Sequence, residues 1–126
     1  MIQVETTVIS DNCNAWKERL NDHRNKLNDC LRYLQEAAGR MLSKEQLREV
    51  GQLYNQFHVQ LVNIHDLKHA IRSHLRKTDY EFNVKNGHLN DDTMAEHETL
   101  LARYSHLEER LQELRVRFVS FVGRLN

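Results

Sequence analysis

His65 and His69 stand at i and i+4 in a stretch of helical periodicity, the spacing at which two imidazoles can meet one metal ion on a single helix face. They belong to a set of eight histidines, with His58 and His74 nearby in the chain. If Ile64 and Ile71 point inward, however, His65 falls at the edge of the apolar seam and His69 on the outer face. A carboxylate-bridged centre inside a helical bundle needs Glu-x-x-His elements with inward carboxylates, and no Glu-x-x-His occurs. His97 occupies a seam position between Glu96 and Glu98, with the region of Asp79 expected opposite it. The histidines are therefore read as solvated groups, and no metal ligand is assigned.

Other chemistries leave weaker traces. No serine is flanked by glycines, no cysteine and histidine are placed together, and no Gly-rich loop could cradle a phosphate. Cys13 and Cys30, on one continuous helix, would lie roughly 25 Å apart at about 1.5 Å per residue, too far to bond. Both are read as reduced thiols. No catalytic residue and no cofactor is expected, and the chain is not expected to be an enzyme.

The elements that would position these groups are helices. Pro is absent, Gly occurs four times and charged residues make up 29% of the chain, a composition without the punctuation of turn-rich β folds. A length of 126 residues fits a single domain. Eighteen Lys+Arg balance eighteen Asp+Glu, which argues against a nucleic acid or an acidic membrane as partner. The basic stretch Arg72 to Lys77 is read as a solvated face. Met1 to Ser10 has no Lys or Arg and a broken apolar pattern, unlike a signal peptide. No apolar run approaches the roughly 18 residues of a membrane span, so no membrane association and a cytoplasmic location are expected.

The periodicity predicts an all-α fold, three long helices in an antiparallel, coiled-coil-like bundle, at about residues 12–38, 43–86 and 91–124 after an N-terminal segment 1–10. The first helix starts at Asp11 or Asn12, carries Leu20, Leu27, Leu31, Leu34, Ala38 and Met41 inward with Trp16 at the entry, and stops at Gly39. Ser43 and Gln46 form a capping box, with Leu42 and Leu47 as a hydrophobic staple. The second helix carries Leu47, Val50, Tyr54, Phe57, Leu61, Ile64, Lys68, Ile71, Leu75, Thr78 and Phe82 inward and ends at Asn86-Gly87. Gly51 is read as permitting close helix approach. In the third helix Thr93 and Glu96 form another capping box, ahead of Leu100, Tyr104, Leu107, Leu111, Leu114, Phe118, Phe121 and Leu125.

Lys68 interrupts the second seam. Pairing the helices about their turns brings Glu108, Lys17 and Glu18 near it, and the expectation is a snorkelling side chain with its ammonium at the bundle edge. The same pairing leaves the first helix too short to cover the far end of the hairpin formed by the other two. Tyr80, Phe82, Val84, Leu89 and Met94 would form an apolar tip there, to be covered by the N-terminal segment or by another chain.

Tyr54-Asn55-Gln56-Phe57, followed by Gln60 and by Ile64-His65-Asp66-Leu67-Lys68-His69, resembles a pattern of a family of small all-helical bacterial proteins. In that family a Trp also occurs near the start of the first helix, as Trp16 does here. The resemblance covers a minor part of the chain, implies a bacterial helical protein and brings no assigned activity. The layout is similar to a spectrin-type repeat in architecture alone. The function expected is a non-enzymatic protein-interaction or self-association module, whose partner is a second copy in a homodimer or another helical protein. The alternative is a metal-binding or metal-sensing bundle using the surface histidines.

Overall fold

A computed structural model of the chain describes residues 2–40, 42–85 and 87–125, with side chains from residue 6 onward. Helix α1 spans Ile2–Ala38, α2 Lys44–Val84 and α3 Asp91–Leu125, and among the described residues there is no strand. The expected all-α three-helix bundle is the fold observed. Asn12 bonds His97 and His23 bonds Glu108 at the same separation of 85 residues, so α1 and α3 run parallel. Asn21 bonds Lys68 and Gln35 bonds Tyr54, which sets α2 antiparallel to α1. Among the described residues no helix is long and apolar enough to cross a membrane.

The first turn forms as the sequence predicts. Ser43 accepts from the Gln46 N–H at 3.1 Å, and the Gln46 side chain accepts from the Ser43 N–H at 2.9 Å. Leu42 packs against the core while Leu47 stays 43% exposed, so the staple is one-sided. Gly39 does not take the left-handed conformation expected of it. Instead α1 tightens through Gly39 N–H to Glu36 O and Arg40 N–H to Ala37 O. At the other turn Gly87 returns its N–H to Phe82 O and has φ 88°, the left-handed conformation that favours glycine. Met41 and Asn86, given roles above, lie outside the described residues.

The largest departure is the start of α1, which begins at Ile2 and not at Asp11 or Asn12. Thr6, Thr7, Val8 and Ile9 are β-branched and poor helix formers in isolation. Burial outweighs that preference: Ile9, Cys13, Trp16 and Leu20 are all buried and extend the seam upstream at 4, 3, 4 spacing. Downstream, Ala37 is buried where Ala38 was expected.

In α2 the buried set, Lys68 apart, is two rows at heptad spacing. One contains Val50, Phe57, Ile64, Ile71 and Thr78, and the other Leu53, Gln60, Leu67, His74 and Glu81. The predicted row Tyr54, Leu61, Leu75 and Phe82 is only half-buried, because α2 faces α1 on one side and α3 on the other. In α3 the expected seam is present and continues upstream through His97 and Thr93. Gly51 is exposed, and a Cβ there would meet nothing within 4 Å, so it makes no close helix approach.

Candidate metal centre

Each helix contributes one side chain to a buried cluster near the α2–α3 turn. Cys13 comes from α1, His74 from α2 and His97 from α3, and one potential ligand atom of each lies within 4.8 Å of the others. All three are buried, at 0%, 1% and 7% exposure. They occupy core rows, Cys13 between Ile9 and Trp16, His74 between Leu67 and Glu81, His97 between Thr93 and Leu100. Three-helix packing therefore converges them without any local motif.

The hydrogen bonds run in one direction. His74 Nδ1 lies 2.6 Å from Glu96 Oε1, and an ionised carboxylate can only accept, so Nδ1 carries the proton. His74 Nε2 is then free to accept from His97 Nδ1–H at 3.2 Å, and His97 Nε2 accepts from the Asn12 amide at 3.2 Å. Lys77 stands 3.5 Å from the other oxygen of Glu96. The Thr78 hydroxyl donates to His74 O at 2.8 Å. Trp16 stacks on His97 with ring centroids 5.1 Å apart and on Tyr104 at 5.6 Å, which fixes the plane of the imidazole.

Burial favours the neutral forms of His97 and Cys13. Burial, and secondarily the neighbouring His74, hold His97 below the usual histidine range. Burial pushes the Cys13 thiol up to about 11, with Lys17 opposing. A thiol at that value is inert as a nucleophile at neutral pH and becomes a thiolate only when a cation takes the place of its proton.

The donor set fits a metal ion. Two imidazole nitrogens on a tetrahedral zinc, with bonds of about 2.0–2.1 Å, are roughly 3.3 Å apart, and His74 Nε2 and His97 Nδ1 are separated by 3.2 Å. His97 Nδ1 would have to give up the proton it shares with His74 Nε2 before both nitrogens could face one ion. Glu96 on His74 Nδ1–H is the carboxylate–histidine arrangement that orients metal-bound imidazoles. A groove of about 260 Å³ between α1 and α3, lined by Val8, Ile9, Met94 and Leu101, reaches Asn12 and His97.

The residues weighed from sequence lie elsewhere. His65 and His69 are exposed, as their place outside the seam implied. His97 faces His74 and not the region of Asp79. Glu96 and Thr93 do not form a capping box: Glu96 bonds His74, and Thr93, fully buried, donates to Glu81. Lys68 is buried along its length, bonds Asn21 and borders a groove between α1 and α2. Glu108 pairs with His23 and Tyr104 instead. At the tip Tyr80, Val84 and Met94 are exposed while Phe82 and Leu89 are half-buried, because the upstream turns of α1 reach this end.

No family model, curated protein or solved structure matches the chain. The resemblance carried by Trp16 and by Tyr54 to His69 rests on those residues alone.

Proposed function

We propose that this protein is a metal-binding helical bundle that takes a zinc-class transition-metal ion at Cys13, His74 and His97, with Glu96 orienting His74. The observation that carries this reading is the convergence of three buried ligand atoms, one from each helix, within 4.8 Å. Thiolate and imidazole donors favour late first-row ions over magnesium or calcium. Three protein donors leave a coordination position for water or an exogenous ligand.

Titration of the reduced, metal-stripped protein with cobalt(II) tests it. Stoichiometric binding should produce a thiolate-to-cobalt absorption in the near ultraviolet and ligand-field bands in the visible, both removed by added zinc. Cys13→Ser should lose the charge-transfer band, and Glu96→Gln should weaken affinity by about 10- to 100-fold. A spectrum indifferent to Cys13→Ser, or one abolished only by changing His65 and His69, would overturn the assignment.

A second reading, association with another copy or another helical protein, is favoured by Tyr80 and Val84, 66% and 59% exposed one turn apart on α2. It is compatible with the first, since neither residue touches the cluster.

A further inference from the structure

On the α1–α2 side of the bundle Lys68 is 9% exposed, and its ammonium has one hydrogen-bond partner, the neutral side-chain amide of Asn21. Among the described residues no carboxylate lies within ion-pair distance of it. Burial first, and then the neighbouring cations Arg24, Arg72 and Lys17, lower its pKa. None of those three forms an ion pair among the described residues either.

In a chain with no net charge, Lys68 is thus buried within reach of three other cations, and among the described residues none of the four forms an ion pair. A buried charge left without a counter-charge is unfavourable, and salt-bridge geometry cannot relieve it here. The groove beside Lys68 has a volume of about 270 Å³, several times the roughly 30 Å³ share of a water, and Arg24 and His65 form part of its wall. Lys68 and Arg72, one turn apart on α2, extend the positive field along the helix over about 6 Å.

We propose that this groove is a binding site for a soluble, multiply charged phosphoryl anion, of which a diphosphate is the simplest example. The Lys68 ammonium supplies the recessed charge, Arg24 can form the paired N–H contacts that guanidinium groups make to phosphate oxygens, and Lys17 and Arg72 add long-range attraction. A multiply charged anion fits the row better than a single carboxylate, because the cations extend beyond the reach of one carboxyl group. The site is independent of the Cys13, His74 and His97 cluster.

Calorimetric titration of the full chain with inorganic pyrophosphate at low ionic strength, where screening is weak, provides the test. Saturable binding is expected, weakened at least tenfold in Lys68→Met and severalfold in Arg24→Gln, and unchanged in Cys13→Ser. Met fills the Lys68 volume without a buried charge, so that variant should fold, and Arg24 is exposed, so its change serves where Lys68→Met does not fold. Inorganic phosphate should bind more weakly than pyrophosphate. Absence of saturable heat, equal affinity in a folded Lys68→Met and the parent, or binding only to vesicles displaying phosphate headgroups would each overturn the proposal.

Discussion

His74 and His97 meet across the α2–α3 interface with Nε2 and Nδ1 3.2 Å apart and their rings 22° from parallel. Cys13 closes the group from α1. A metal ion held there would tie all three helices together in the folded state and find no such site in the unfolded chain. Trp16, the only tryptophan, is stacked on His97 and so reports on the same event.

Zinc at about 100 times its dissociation constant should accordingly stabilise the fold by about 2.7 kcal/mol and raise the melting temperature by roughly 10 °C. Cobalt(II) should quench Trp16 emission in proportion to occupancy. Both responses should vanish in Cys13→Ser. A melting temperature that ignores zinc in the reduced parent protein would sink the metal reading.

Gly51 offers a test of the packing of α2. It lies mid-helix, exposed, and an added methyl meets nothing within 4 Å. Gly51→Ala should therefore raise stability by about 0.5–1 kcal/mol, the difference in helix propensity, visible as a higher denaturant midpoint at unchanged slope. A loss of stability would show that another helix does approach this position.

The helices were legible in the sequence because their apolar rows are long, and the Ser43–Gln46 box that sets the first turn works by local chemistry alone. The cluster of Cys13, His74 and His97 was not legible, for two physical reasons. A heptad reading of α2 selects the row with the most apolar residues, here Tyr54, Leu61 and Leu75, whereas the row that packs includes Gln60, His74 and Glu81. Polar residues can occupy such a row because each finds a partner in the core; no buried side-chain nitrogen or oxygen among the described residues lacks one. Starting α1 at Asp11 or Asn12 also placed Cys13 in a fraying first turn, when the β-branched residues before it are helical and Ile9 is buried. The available signal was the heptad alignment of His74 with Leu53 and Leu67, together with His97 already standing on the seam of α3.

Glu81 should make stability depend on acid. Burial alone pushes its carboxyl up, but the Thr93 hydroxyl and the Asn90 N–H, helped by Lys77 and Lys85, outweigh burial and hold it below the ordinary 4.5. The folded state then binds this proton more weakly than the unfolded chain. Its contribution is fully present above the unfolded value and is lost as pH falls through the lower folded one. Chemical denaturation between neutral pH and about pH 3 should show a steeper loss for the parent than for Glu81→Gln. Parallel curves would show that Glu81 does not bind its proton differently in the two states.

Phe82 and Tyr80 separate folding from association at the far end of the bundle. Phe82 is half-buried and borders a cleft with Thr6, Thr7 and Ser10 of α1, so its ring belongs to the fold rather than to a free surface. Phe82→Ala should lower stability by about 1–3 kcal/mol, less than a fully buried aromatic, without altering the sedimentation coefficient at any concentration where helicity persists. Tyr80 is 66% exposed and contributes little to the core, so Tyr80→Ser should leave the denaturation midpoint nearly unchanged. If the chain pairs through the face that carries Tyr80 and Val84, Tyr80→Ser should shift the protein to monomer at concentrations where the parent is dimeric. A parent that sediments as a monomer throughout would remove the association reading, and a dimer broken by Phe82→Ala but not by Tyr80→Ser would place the interface beneath α1.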